Sequence, residues 1–550
     1  MRNLRNLSWL PLFALAVAPA AQTPTFDFSA SELLDDIKTL SSDKFGGRGP
    51  GSAGEKLTVD FITERFKKLG LKPGNPDGTY VQKVPLAGIT PEIKEELSFT
   101  GAGGKKLAFK YRQDYVAFTN RVTPDTGFDA PLVFVGYGVV APEYGWDDYK
   151  GLDVKGKVLV MLINDPPVPD PANPAKLDPK MFGGSAMTYY GRWTYKYEIA
   201  AAKGAAGCLI VHETEPAAYP WEVVRGSWGK ESFVTADANK NMSQVAVQGW
   251  ITHETAGQLF DYAALKKSAV SKSFKPVELP WTAHLKIHNA IRHIDSHNVL
   301  AKLEGSDAAL RDQFVIYSAH WDHLGIGPGP DGAPNAIYHG AQDNASGTAG
   351  LLQWARAYTH LAKPPRRSVL FLAVTGEEQG LLGSEYYALH PLYPLKKTAA
   401  VINKDVLNVY GRTKDITITG TRMSSLEDDL ESAAKAQGRV VKGDPEPEKG
   451  HYYRSDHFSF AKQGVPALET GSGDDYIAHP GDWGKKKRDE YTNNDYHKPT
   501  DTVRSDWDLT GAVEDLSLLM TVGLKVGNSN AWPQWNPGTE FKAKRDAMMK

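Results

Sequence analysis

A chain of 550 residues is too long for one ordinary hydrophobic core, which predicts two or three packing units. Hydrophobic residues make up 41% and charged residues 23% of it, as in globular proteins. The formal net charge of −2 gives no electrostatic basis for binding nucleic acid or an anionic membrane surface, so a partner must be sought in a local site.

The N-terminus MRNLRNLSWLPLFALAVAPA carries Arg2 and Arg5, an apolar stretch from Leu7 to Val17 and the small-residue pattern Ala18-Pro19-Ala20. This is the layout of a cleaved export signal spanning residues 1–20, and it places the mature protein in a periplasmic or extracellular space. No other segment approaches the roughly 20 apolar residues of a membrane helix, so no span is expected once the signal is removed. Cys208 is the one cysteine, which excludes an intramolecular disulfide; its setting, GAAGCLIVHE, reads as a small buried residue on a strand.

Residues 30–44 and 53–69 show apolar positions at helical spacing, the second run stopping at Gly70. Between them FGGRGPGSAG is a glycine-rich loop that lacks the Lys-Ser/Thr of a phosphate-binding loop and reads as a structural turn. Residues 21–129 form a first segment. PLVFVGYGVV (131–140) and GKVLVMLI (156–163) read as strands, YGRWTYKYEIAAAKGAAG as a helix leading into the strand CLIVHE, and DPPVPDPANPAKLDP as loop. This block, 130–285, is rich in Trp, Tyr, Gly and Pro, has no cluster of His with carboxylates, and reads as an inserted module.

From 286 to 550 the pattern becomes a regular alternation. QFVIYSA, SVLFLAV, TAAVINK and GVPALET are near-continuously apolar, as strands buried in a parallel sheet are, and the intervening helices include GTAGLLQWARAYTHLA and SSLEDDLESAAKAQG. The fold class is α/β. In such sheets ligands bind beyond the carboxyl ends of the strands. Those ends carry His320 to His323, Glu377 with Glu378, Asp405 and His497, and Asp343 precedes a helix. Each has an ordinary explanation alone. Together they would gather several negative charges in one crevice, which calls for cations.

Histidine with carboxylate and no thiolate suits Zn²⁺ or a similar ion, and Asp343, with two oxygens, can bridge a pair of them. Because successive side chains at a strand end point different ways, Glu378 can ligate while Glu377 stays free as a general base. In order and spacing, HxDHLG, GAxDNASG, TGEExGLLGS, INxD, SDHxxF and YHxxxDT resemble the M28 zinc-peptidase family, over residues 297 to about 525 and again over 30–88. YKYEIAAAKGAAGCLIVHE resembles the protease-associated (PA) domain that some members carry as an insertion.

The resemblance implies a mixed, largely parallel sheet flanked by helices, with an inserted β-rich α/β PA domain. It implies two Zn²⁺ per chain, His320 and Asp405 on one, Glu378 and His497 on the other, Asp343 between them. Glu377 matches the general base, Asp322 the carboxylate that orients His320, and Tyr452 a hydroxyl near the oxyanion, with Tyr453 competing and core packing an equal alternative. Asp343-Asn344 is expected to be cis. His323 reads as a loop residue, Asp456, His457 and Asp501 as supporting or solvated groups, His479 as a pocket candidate, and the KKKR run at 485–488 as a solvated loop. The expected activity is that of an exported exopeptidase acting on peptides with a free N-terminus. The alternatives are a carboxypeptidase, for which Arg454 and Lys498 are the cations near the motifs, a one-zinc glutaminyl cyclase, and a receptor-like binding protein on a dead peptidase fold. Oligomeric state is not fixed by the sequence.

Overall fold

The structure is a computed structural model that describes residues 26–330 and 332–550, so the expected export signal lies outside the described residues. Helix α1 (Ala30–Leu40) starts where Ser29 Oγ accepts the Glu32 N–H at 3.2 Å, and α2 (Ala53–Lys68) where Ser52 accepts from Gly54 and Glu55. Both turn their apolar faces inward through Leu33, Ile37, Ile62 and Phe66. The strands that follow are β1 (Val81–Glu92), β2 (Tyr115–Phe118), β3 (Asp125–Phe134) and β4 (Val158–Leu162). After α3 (Trp193–Ala202) come β5 (Gly207–His212), β6 (Val247–Thr252) and the 27-residue β7 (Val277–Leu303). The C-terminal part adds β8 (Phe314–His320), α4 (Gly347–Thr359), β9 (Ser368–Val374), β10 (Thr398–Asn403), the short β11 (Ala467–Leu468) and α5 (Thr510–Asn528).

One sheet runs through both lobes in the order β11-β10-β8-β9-β7-β3-β4-β5-β6-β2. β11, β10, β8 and β9 are parallel, as are β3, β4, β5 and β6, and β7 joins the two sets antiparallel to each. β7 can serve both because its character changes along its length. Leu279, Trp281, Ala283, Leu285 and Ile287 alternate with outward residues and bury one face in the second lobe, whereas Val299, Leu300 and Ala301 are fully buried in the first. The chain is thus an α/β protein with a largely parallel central sheet flanked by helices.

Several expected elements differ. Leu97, Phe99, Phe109 and Tyr115 share a hydrophobic cluster with Leu132, Val160 and Leu209, so the second lobe's core draws on chain upstream of residue 130. DPPVPDPANPAKLDP contains a small hairpin, Pro169–Asp170 against Asn173–Leu177. Of GVPALET only Ala467 and Leu468 join the main sheet, because Glu469 turns in to accept from Asn403 Nδ2 at 2.7 Å. KKKR lies on the helix Trp483–Asn494 rather than on a loop. Among the described residues no helix is long and apolar enough to cross a membrane.

β8 and β9 present alternate faces to two cores; Phe371 sits between Tyr317, Tyr358 and Phe66 with no exposed surface. Phe371→Ala should lower the stability of the first lobe by about 3–5 kcal/mol. A denaturant midpoint unchanged from the parent would show that this ring is not part of the core.

Candidate metal centre

Register sets the site. In the parallel ladder His320 pairs with Val374, and Ser318 with Asn403, so Asp405, two residues past Asn403, comes level with His320, and Glu377 and Glu378 leave the next strand just beyond it. His320 Nε2 lies 3.1 Å from Asp405 Oδ1 and 3.9 Å from Glu377 Oε2. On the other side His497 Nε2 lies 2.9 Å from Glu378 Oε2. Asp343 stands between: its Oδ1 is 3.5 Å from His320 Nε2 and its Oδ2 is 3.2 Å from His497 Nε2. One carboxylate therefore faces two imidazoles that come from opposite ends of the domain.

Asp343 is held by its backbone. Asp501 accepts from the N–H groups of Gln342 at 3.0 Å and Asp343 at 3.1 Å, and the Asp343-Asn344 peptide is cis. Asn344 Oδ1 accepts from Gly347 N at 2.7 Å and Val406 N at 3.1 Å, tying the helix start to the end of β10. Val406 (φ 62) and His497 (φ 57) both adopt left-handed backbone, a cost of about 1–3 kcal/mol each for a non-glycine residue. His497 is further set by stacking on Tyr496, centroids 3.9 Å apart. Ser455 Oγ donates to Asp405 Oδ2 at 3.2 Å.

Two clusters able to hold a cation result: His320, Glu377 and Asp405, and His323, Asp343 and Glu378. His323, read from sequence as a loop residue, is fully buried with Nδ1 2.5 Å from Glu378 Oε1. The signal was its place in HWDH, three residues past His320; nothing in the sequence said that the loop folds back beneath Glu378. Asp322 also differs in detail. His320 Nδ1 lies 3.2 Å from the Asp322 backbone oxygen and 3.8 Å from its Oδ1, and that Oδ1 accepts the Glu377 N–H at 3.1 Å. The carboxylate thus braces the Glu377 turn as well as the imidazole.

Tyr452 is not brought into either cluster. Its ring packs against Phe541, His457 and Tyr453 in a hydrophobic core, and its hydroxyl is buried without a hydrogen-bond partner among the described residues, so packing accounts for it. Tyr453 donates to Glu540 at 2.9 Å. His479 stacks on Trp483. Asp456 and His457 are fully buried beside the site, where burial pushes the Asp456 carboxyl to about 6 and the His457 imidazole down to about 3.

The electrostatics show what the donor set lacks. Burial would depress His320 and His497, yet Asp405 and Glu377 hold the first well above its usual range, and Asp343 and Glu378 lift the second to about 10. Burial favours neutral carboxyls, but contacts from His320 and His497 hold Asp343 well below the usual range, and His323 and His497 hold Glu378 at about 2. Carboxylates crowded in this way favour positive charge beside them, on the imidazoles or on a cation. The buried His323 Nε2 and Asp322 Oδ2 have no hydrogen-bond partner among the described residues. Imidazole nitrogens and carboxylate oxygens without thiolate fit Zn²⁺ or a similar divalent ion.

The FGGRGPGSAG turn proves to matter. Arg48 is fully buried and donates to four backbone oxygens: Nε to Trp321 at 2.9 Å, Nη1 to Leu40 at 2.8 Å and His339 at 2.7 Å, and Nη2 to Gly340 at 2.8 Å. It pins the loops that carry His320, His323 and Asp343. Gly47 (φ 67) lets the turn seat there, since a Cβ would fall 2.4 Å from Gly325 O. Burial lowers the guanidinium only to about 10, so it stays charged beside Asp501, Asp322 and Asp343.

Residues 298–521 match the model of peptidase family M28. The aminopeptidase YwaD of Bacillus subtilis (strain 168) is 23% identical over 501 residues, 90% of this chain and 86% of that protein. The mouse aminopeptidase NAALADL1 is 35% identical over 127 residues, 22% of this chain and 15% of its own length, so the match spans a small part of that relative. Among solved structures, the aminopeptidase from Aneurinibacillus sp. strain AM-1 covers 93% of this chain and 95% of its own at 20% identity with a TM-score of 0.48.

Because His320 and His497 must lose protons to ligate, metal affinity should rise with pH, by up to about 100-fold per unit across pH 6–8 if two protons are displaced. Competition with a chelator of known proton dependence measures this; a flat profile contradicts it. Arg48→Gln, which leaves several buried carbonyls unpaired, should cost about 3 kcal/mol or more and lower metal content; an unchanged melt and metal content would show the guanidinium dispensable.

Proposed function

We propose, from the match of residues 298–521 to peptidase family M28, a zinc exopeptidase that holds two metal ions and releases N-terminal residues from peptides. The observation that carries the reading is Asp343, with one oxygen toward His320 and the other toward His497. His320 and Asp405 would hold one ion, Glu378 and His497 the other, and Asp343 both. Bound cations of this kind supply Lewis acidity at a substrate carbonyl and acidify water.

The protein's own part in the reaction is proton transfer. Burial, with Asp405 and Glu378 close by, pushes Glu377 well above the usual carboxyl range, while its neighbour Glu378 is pulled down. Two adjacent carboxyls driven apart in this way fit a proton carrier beside a ligand. Glu377 takes a proton from the attacking water and later delivers it to the departing amine. Asp322, accepting the Glu377 N–H, keeps that carboxylate over the cluster.

Release from the N-terminus is favoured over release from the C-terminus by the surrounding charge. Arg454 donates to Lys449 O and Lys498 to Asn493 O, and neither lines the cavity beside Asp405. The cavity beside Asp405 carries Asp444, Glu446 and Asp474 against Arg488, itself paired with Asp474, so its lining is net negative and repels a substrate carboxylate. The relatives named above are both aminopeptidases by name. The intact donor set speaks against a receptor-like role. We further propose that the second lobe is the PA-like module and that residues 1–20 direct export.

Aminoacyl arylamides should be hydrolysed and their N-acetylated and C-terminal counterparts should not. Glu377→Gln should keep the parent's metal content and lose kcat by roughly 10²–10⁴-fold. Activity near that of the parent would remove Glu377 from the mechanism.

A further inference from the structure

Beside Asp405 and Val406 lies a cavity of about 230 Å³, and one of its walls is the segment 444–451, which contributes Asp444, Glu446 and His451. That wall is short and irregular, two single-turn 3₁₀ segments hinged at Gly450 (φ 62). Its far side meets the second lobe around Pro447 and Gly450, while Pro445 and Glu448 stay exposed. The second lobe reaches across to it: Met187 N donates to Pro447 O at 3.0 Å, and a Cβ at Gly450 would fall 2.7 Å from Met187 Sδ.

Two residues on, the Tyr189 ring packs on Phe458 at 5.0 Å and on Tyr453 at 6.0 Å, the residues that continue the wall into the first lobe's core. The reaching segment is itself anchored. Thr188 donates to Asp165 through its N–H at 2.7 Å and its hydroxyl at 2.6 Å, and Lys462 closes the lobe junction on Glu198 at 2.7 Å. The wall is braced within itself, His451 Nδ1 lying 3.1 Å from Asp444 Oδ2 and Lys449 Nζ 2.5 Å from Glu446 Oε1, so what the second lobe can set is where this segment sits rather than its own shape.

We infer that Met187 and Tyr189 of the second lobe are positioning residues that fix the 444–451 wall of the cavity taking the substrate's N-terminal side chain. The inference rests on the aminopeptidase reading for what the cavity receives, but not for what holds the wall. It gives the second lobe a part in selectivity, although none of its residues line the cavity and it carries none of the metal-capable side chains.

The test uses the full-length enzyme with Tyr189→Ala, Met187→Ala and Tyr189→Phe, the last keeping the ring. Hydrogen exchange of amides 444–451 should quicken in the two alanine variants and stay at the parental rate in Tyr189→Phe. With leucyl and lysyl arylamides the alanine variants should show KM raised roughly tenfold and kcat nearly unchanged, while the glycyl substrate, which has no side chain to place, is unaffected. Metal content should equal the parent's throughout. Unchanged exchange in the alanine variants, or equal losses on glycyl and leucyl substrates, would overturn the inference. If the parent hydrolyses no arylamide but the exchange pattern is as expected, the wall's support stands and the aminopeptidase reading fails.

Discussion

Everything at the centre of this protein follows from charge crowding. Asp343, Glu377, Glu378 and Asp405 converge at the carboxyl end of β8, β9 and β10, in a setting where burial withholds water from the first three and leaves Asp405 partly exposed. Carboxylates so close repel strongly in a medium of reduced dielectric. Imidazolium groups relieve part of the repulsion, and Arg48 adds a permanent charge beneath it. The rest of the need is what makes the crevice a cation site. The same crowding drives the neighbours Glu377 and Glu378 in opposite directions, the first raised and the second lowered, which supports the proposed division into proton carrier and ligand.

The architecture exists to hold that crowding in place. Three parallel strands in fixed register bring their ends level, and α4 brings Asp343 in from below. Backbone in unfavourable conformations at Val406 and His497 is retained because Asn344 and Tyr496 hold it. A cost of this kind is common at functional sites. β7 then couples this lobe to the second by running through both cores as a single strand.

Much of this was legible in the sequence. QFVIYSA, SVLFLAV and TAAVINK announce buried parallel strands because strands covered on both faces have no polar side to show, and ligands of an α/β sheet sit at strand ends by rule. His320, Asp343, Glu377, Glu378, Asp405 and His497 were therefore visible as a group. Contacts made over long separations were not. Arg48 reaches Trp321 and Gly340 across about half the chain, and neither its own turn nor theirs signals the other. His323 and Glu469 are ordinary polar residues until the fold turns them inward. The second lobe's core draws on residues 97–117 because 98–101 pair with β7 and β2 pairs with β6, choices periodicity cannot reveal. For Tyr452 motif position left a place near the oxyanion and core packing equally open, and the ring packs with Phe541 and His457.

The central claim is that one carboxylate joins two cations. The direct measurement is a crystal structure of the zinc-loaded protein with anomalous data at the zinc edge. The account predicts two peaks, one between His320 and Asp405 and one between Glu378 and His497, each within bonding distance of a different Asp343 oxygen. A single peak, or a pair that leaves Asp343 uncoordinated, would contradict it.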